Sequence, residues 1–135
     1  NLEVDDLKIT QSWVSHKHKN QSHKLHYHSN SVISGVYYFD DTNPEIEPII
    51  FEKNPANYAI GAIQLPVKHD GIDNKPFAWD FFRFNATPNT LILFPSWLYH
   101  NVEPNTHDKP RKCLAFNVVP RVLGKKTALN ELPLW

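Results

Sequence analysis

Short apolar runs rich in aromatic and β-branched residues alternate along this chain with polar clusters that favour turns. Such alternation is typical of all-β proteins. Eleven prolines are spread through the sequence and interrupt most stretches that could otherwise continue as helices. The pattern predicts strands at Lys8–Val14, Lys24–Tyr27, Ile33–Phe39, Pro48–Phe51, Phe77–Phe84, Thr90–Phe94, Leu98–Val102 and Lys112–Val118.

The number and spacing of these strands predict a fold. The chain has 135 residues, enough for one domain, placed at residues 1–135, and too few for two of ordinary size. About eight short strands at this spacing predict a two-sheet jelly roll or a related β-barrel. The stretch 52–63 is ambiguous and is compatible with a helical turn. Residues 121–135 are expected to form a tail that packs on the outside through Leu132 and Trp135.

Composition narrows the possible partners. The 14 basic and 14 acidic residues cancel, so nothing predicts a field that would attract nucleic acid or an anionic membrane. Cys113 is the only cysteine and cannot form an internal disulfide. No window approaches the length of a membrane span. We therefore expect a cytoplasmic protein with no membrane partner, and the sequence leaves an oligomer open.

Eight histidines are many for this length, and five of them lie within residues 16–28. His26 and His28 are separated by one residue, and residues i and i+2 of a strand project from the same face. Both imidazoles would then point the same way and could chelate one ion of Fe, Zn, Cu or Ni. Leu25 and Tyr27 would pack on the opposite side. The alternative is that an H-x-H pair has arisen by chance on a surface.

A tight metal site needs a third ligand from elsewhere in the chain. His100 follows the predicted turn Pro95–Trp97, and a histidine at the rim of a barrel is well placed as a ligand. Its alternative role is capping or packing. His16 and His18 form a second H-x-H pair, but they lie in a polar run that is interpreted as a solvated loop.

The segment after His28 predicts a change of direction. Ser29–Ser31 favours a turn, and the run Ile33–Phe39 that follows is expected to lie antiparallel to the histidine strand. Gly35, inside this run, predicts a bulge or the close approach of another backbone.

Arg111 begins the last long predicted strand. It shares one face of that strand with Cys113 and Asn117, and the small side chains beside it leave space for a ligand. A guanidinium can bind both oxygens of a carboxylate, although most arginines are simply solvated at the surface. The opposite face is interpreted as core packing; it carries Lys112, Leu114, Phe116 and Val118.

Three blocks, found in this order, resemble one family. They are His26–Tyr38, which contains SGVYY, then Leu93–His100, which reads LFPSWLYH, and Arg111–Asn117. Over about residues 13–118 the chain is similar to a group of 2-oxoglutarate/Fe(II) oxygenases from bacteria and their phages. Similar proteins carry more sequence at the N-terminal side, so the resemblance implies that this chain lacks part of that region.

The resemblance implies a double-stranded β-helix that holds Fe(II) on His26, His28 and His100, with no further catalytic group. It also implies that the cosubstrate 2-oxoglutarate chelates the iron and pairs its far carboxylate with Arg111. The wider superfamily usually has Asp or Glu in place of His28, whereas the closely similar group carries H-x-H.

Three further residues are candidates for contacts to the cosubstrate. Cys113 stands where the wider superfamily often has Ser or Thr, and a thiol is a weaker hydrogen-bond donor than a hydroxyl. Tyr38 and Asn117 are candidates for hydrogen bonds to the cosubstrate or to the metal ligands.

Two other functions remain open at this stage. One is a three-histidine cupin-type dioxygenase that does not use 2-oxoglutarate. The other is a non-enzymatic metal-binding or structural module, for example in a phage particle. The substrate of an oxygenase would be a small molecule or a peptide or protein side chain, and the sequence does not specify it. Histidines also accept divalent metals other than iron.

Overall fold

The structure is a computed structural model, and it describes residues 6–40, 47–52, 81–85, 87–123 and 132–133. Within these residues all regular secondary structure is β. Each predicted strand has a counterpart there, although residues 77–80 of one prediction and the ambiguous stretch 53–63 lie outside the described part. The strands are β1 (Leu7–Lys17), β2 (His23–His26), β3 (Ile33–Tyr38), β4 (Ile49–Glu52), β5 (Phe81–Phe84), β6 (Thr90–Pro95), β7 (Tyr99–Val102), β8 (Arg111–Pro120), β9 (Val122–Leu123) and β10 (Leu132–Pro133).

Eight of these strands form two antiparallel sheets. The first sheet has the order β1-β8-β3-β6 and the second the order β2-β7-β4-β5. Side chains from both sheets meet in one core; among them, the rings of Phe94 on β6 and Phe51 on β4 pack edge to face with centroids 5.0 Å apart. The all-β prediction is confirmed, and the arrangement is that of a cupin-like double-stranded β-helix.

The chain changes sheets directly after the histidine strand. We expected β3 to lie antiparallel to that strand, and this was wrong: β3 pairs with β6 and β8, whereas β2 pairs with β7. Ser29–Ser31 is therefore a crossover between the sheets and not a hairpin turn. Local turn chemistry cannot distinguish the two, because which strand becomes a neighbour depends on packing across the whole barrel.

The face of β8 that begins with Arg111 lines the cavity, as expected from its small side chains, but it also contributes to the core, whereas of the face expected to be core only Val118 is buried. Cys113 and Ala115 belong to the core, whereas Leu114 and Phe116 are only half-buried on the outer side of the first sheet. The interpretation of the outer face as core was wrong, because the barrel interior receives the face that begins with Arg111.

Gly35 lies opposite Phe116 in the pairing of β3 with β8. A Cβ atom at Gly35 would come within 2.2 Å of the tip of the Phe116 ring. The glycine thus accommodates an aromatic ring from the neighbouring strand, and the β3 pairings run in continuous register without the bulge that we considered.

The C-terminal region differs from a simple tail, since β9 pairs with β10 through Leu132 and Leu123. Trp135 lies outside the described residues. Nowhere in the described part of the chain is there a helix with the length and apolarity needed to cross a membrane.

Candidate metal centre

Three histidines from distant parts of the sequence meet inside the barrel. His26 ends β2 and is paired directly with His100 on β7, and His28 follows two residues later. One ring nitrogen of each histidine lies within 4.8 Å of the others. The ring centroids of His26 and His100 are 4.2 Å apart, and that of His28 lies 5.2 Å from His26 and 5.3 Å from His100. The structure therefore brings the three predicted ligands together.

Backbone carbonyls orient two of these rings. His26 Nδ1 lies 2.7 Å from the carbonyl oxygen of Lys24, and His100 Nδ1 lies 2.9 Å from that of Leu98. A carbonyl can only accept, so each Nδ1 carries a proton and donates it, which leaves Nε2 with a free lone pair. This is the arrangement by which metal-binding histidines are usually held.

His28 is held by the first sheet. β2 has ended, and the backbone N–H of His28 donates to the carbonyl of Ser96 at 2.9 Å. Its Nδ1 lies 3.3 Å from the amide nitrogen of Asn117, whose Oδ1 accepts from Ser34 Oγ at 2.9 Å. With the amide in this orientation His28 Nδ1 accepts a hydrogen bond, and the same amide nitrogen donates to Gln11 Oε1 at 3.1 Å, which also accepts from Asn30. A 180° rotation of the Asn117 amide, together with the amides of Gln11 and Asn30, would let Asn117 Oδ1 accept from His28 Nδ1 and free Nε2.

Burial keeps this end of the barrel uncharged. Burial lowers the pKa of His100 to about 4. Burial, followed by the neighbouring His26, also lowers the pKa of His28. Both imidazoles are therefore neutral at neutral pH, which is the state that metal ligation requires.

The residues on the opposite side of the histidine strand do not pack as expected. Leu25 and Tyr27 are exposed to 38% and 48%, and the Tyr27 ring contacts that of Tyr99 on the outside of the second sheet. The second H-x-H pair is also outside, with both rings exposed, although His16 lies within β1 and not in the predicted loop.

Arg111 lies on the inner face of the first sheet and is only 3% exposed. Its guanidinium donates to the Tyr38 hydroxyl at 2.8 Å and to the carbonyl of Glu47 at 3.4 Å, and one nitrogen lies 3.6 Å from the Cys113 sulfur. These partners are neutral groups. A buried cation is stable when an opposite charge meets it, so this guanidinium is well suited to an anionic ligand.

Tyr38 and Cys113 stay protonated beside this charge. Burial raises the pKa of Tyr38 to about 12, although Arg111 opposes the shift. Burial likewise raises the pKa of the Cys113 thiol. Asn117, by contrast, lies next to His28 and not next to Arg111, so its suggested contact to the cosubstrate stays a prediction.

One cleft connects the two groups. The three histidines and Arg111 line the same cavity, with an empty volume of about 450 Å³ including its open mouth. Its wall also contains three residues that were not predicted from the sequence, namely Trp13, Ser15 and His23. β1 extends to Lys17 and pairs with β8, which brings Trp13 opposite Ala115, but no motif marks either β1 residue.

The donor set fits a divalent metal ion. Metal–imidazole bonds are about 2.1 Å long for zinc, so two ligands of one ion lie at most about 4.2 Å apart. The 4.8 Å spread of the histidine nitrogens is close to this limit, and small ring rotations would close it. Neutral nitrogen donors suit Fe, Zn, Cu and Ni. The open cleft beside them leaves room for further ligands.

Comparisons with known proteins give a family and a fold for this chain. A family profile described as "Putative 2OG-Fe(II) oxygenase" matches residues 11–117. Among solved structures, a Pseudomonas putida prolyl-4-hydroxylase is similar with a TM-score of 0.51 and 12% sequence identity. That match covers 87% of this chain and 55% of the hydroxylase chain, and at this identity it supports the fold alone. No curated protein matches the chain.

Proposed function

The chain belongs to the family of 2OG-Fe(II) oxygenases, and from this premise we propose that it is an Fe(II)-dependent oxygenase that uses 2-oxoglutarate. The observation that carries the proposal is the cleft that joins three converging histidines to a buried arginine with neutral partners. A 2-oxo dicarboxylic acid has complementary chemistry, because one end chelates a metal and the other end is a carboxylate. Neither group of residues alone would favour this cosubstrate over others.

His26, His28 and His100 would hold the metal. Bound Fe(II) supplies the redox chemistry by which O2 converts 2-oxoglutarate to succinate and CO2 while one oxygen atom enters a substrate C–H bond. Three neutral ligands leave the site one charge more positive than two histidines and a carboxylate would. This extra charge favours an anionic cosubstrate.

Arg111 would anchor the far carboxylate of 2-oxoglutarate. The Tyr38 hydroxyl accepts one guanidinium N–H, and the Glu47 carbonyl accepts another, so the fork is fixed before the ligand arrives. A preorganised donor loses little entropy on binding.

Asn117 would set the tautomer of His28. In the rotated orientation its Oδ1 accepts from His28 Nδ1–H, while its amide nitrogen donates to Ser34. Ser34 Oγ in turn lies 2.9 Å from Ser96 Oγ, so the hydroxyls can reverse their direction together. This hydrogen-bonded group would take the orienting role that local carbonyls have for the other two ligands.

The proposal is tested by adding 2-oxoglutarate to the protein loaded with Fe(II) in the absence of air. We expect the visible metal-to-ligand charge-transfer band of a bidentate 2-oxo acid, followed by succinate when O2 is admitted. Glutarate, which lacks the 2-oxo group, serves as the control ligand and should give neither signal.

Other results would point elsewhere. A protein that retains Fe(II) but gives neither band nor succinate contradicts the proposal. O2 uptake that requires iron and a thiol substrate but no 2-oxoglutarate would favour a three-histidine cupin-type dioxygenase. Failure to bind any divalent metal would favour a non-enzymatic module.

A further inference from the structure

A fourth histidine, His23, faces the same cleft. His23 and His26 lie three residues apart, and in a regular strand they would point to opposite faces. The pairing of β2 with β7 shifts register between them, and this irregularity turns both side chains inward. The two rings lie 4.4 Å apart, and both line the cavity.

His23 is beside the metal ligands but is not one of them. Within the described part of the chain, the histidine nitrogens that converge to within 4.8 Å belong to His26, His28 and His100. The ring of His23 therefore lies next to the space where the metal would bind, and it could contact a small molecule bound to that metal.

The other side of His23 faces the cationic end of the cleft. It experiences the positive charges of Lys17 and Arg111, which are paired across β1 and β8. Burial, followed by His26 and these two cations, lowers the pKa of His23 to about 4. An imidazole carries at least one N–H in either protonation state, so His23 can donate a hydrogen bond.

We propose that His23 contacts the bound cosubstrate and donates a hydrogen bond to its metal-proximal carboxylate. The inference rests on the proposed function. It follows from three observations: the ring packs on the metal ligand His26, it lies outside the converging donors, and it lines the same cavity as Arg111. The two ends of the cosubstrate would thus be recognised separately, the chelating end by His23 and the far end by Arg111.

The test compares wild type with His23→Phe, which keeps an aromatic ring but has no donor. Dissociation constants are measured without air for Fe(II), for 2-oxoglutarate and for 2-oxobutyrate, which lacks the far carboxylate. We expect unchanged Fe(II) affinity and a loss of roughly 10- to 100-fold for both acids, as for a hydrogen bond to a charged group. If the Phe variant does not fold, His23→Leu replaces it.

A second measurement separates contact from general damage. At saturating 2-oxoglutarate the charge-transfer band of the variant should be displaced from that of wild type, because the donor next to the chelate is gone. A merely loosened site would give the same band at full occupancy, and an unmoved band would overturn the inference.

The remaining outcomes are equally decisive. Weaker Fe(II) binding would make His23 a fourth ligand, and a loss confined to 2-oxoglutarate would place its contact at the far carboxylate; each overturns the inference. So do unchanged affinities for both acids. If wild type itself binds no 2-oxo acid, it is the proposed function that fails.

Discussion

The histidine end and the arginine end of the cleft are held in different ways. His26 and His100 each donate to a carbonyl two residues earlier in their own segment. Arg111 instead depends on Tyr38, 73 residues away, and on the Glu47 carbonyl, 64 residues away. The histidine end is thus oriented largely by the local backbone, whereas the arginine end is formed only when the two sheets have assembled.

Charge distinguishes the two ends as well. At the histidine end, burial keeps His28 and His100 neutral. The arginine end carries a buried guanidinium. The comparison indicates that one end selects a metal and the other an anion, and that changes at one end should leave binding at the other largely intact.

The largest loss of ligand affinity should follow from a substitution at the histidine end. His100→Ala removes a ligand paired with His26, and we expect metal affinity to fall by more than about 100-fold, beyond the loss usual for an outer-shell change. Equilibrium dialysis against Fe(II) or Zn(II) measures it. His18→Ala is the matched control, because His18 is exposed outside the cleft. Comparable losses in both variants would contradict the assignment.

The next largest loss should be that of 2-oxoglutarate affinity after a substitution at the arginine end. Arg111→Met removes the buried charge, and we expect 2-oxoglutarate affinity to fall by roughly 30-fold or more. Binding of 2-oxobutyrate and of metal should change little. Calorimetry on both acids checks this, with Arg83→Met as control because Arg83 is exposed and paired with Glu103. An equal loss for both acids would mean that Arg111 does not bind the far carboxylate.

Acid should affect the histidine end selectively. Because the pKa of His100 is lowered to about 4 in the fold from an ordinary 6.5, the unfolded chain binds more protons between these values. The metal-free protein should therefore be fully stabilised above pH 6.5 and lose on the order of 2 kcal/mol as the pH falls towards 4. Urea unfolding across this range measures the loss. His100→Ala should reduce the dependence without abolishing it, because the lowered pKa values of His23 and His28 act in the same direction. An unchanged slope would count against the shift.

The smallest loss of 2-oxoglutarate affinity should follow from removing a hydrogen-bond partner of Arg111. Tyr38→Phe removes the acceptor at 2.8 Å but leaves the guanidinium, and we expect 2-oxoglutarate affinity to fall by only about fivefold, because Tyr38 acts by positioning Arg111. Tyr37→Phe is the control, since its hydroxyl bonds Asn89 at the surface. A loss as large as that of Arg111→Met would show that the tyrosine is essential to the anchor.

Much of this fold follows from local pattern. The alternation of apolar and polar residues located every strand of the two sheets to within a few residues. The spacing of His26 and His28 indicated a shared face, the positions of His100 and Arg111 made them candidates, and the family resemblance gave both of them specific roles. The bulge that turns His23 inward was not predictable, because it arises from pairing with β7 and not from β2 alone.

The sequence by itself determined the strands, the absence of an internal disulfide and the residue types available for metal and anion chemistry, since these depend on neighbours along the chain. Only the tertiary structure decided which face of β8 is interior, which strand flanks β3 and how far apart the histidine nitrogens lie. Those properties depend on contacts between residues up to a hundred positions apart, and local propensity carries no information about them.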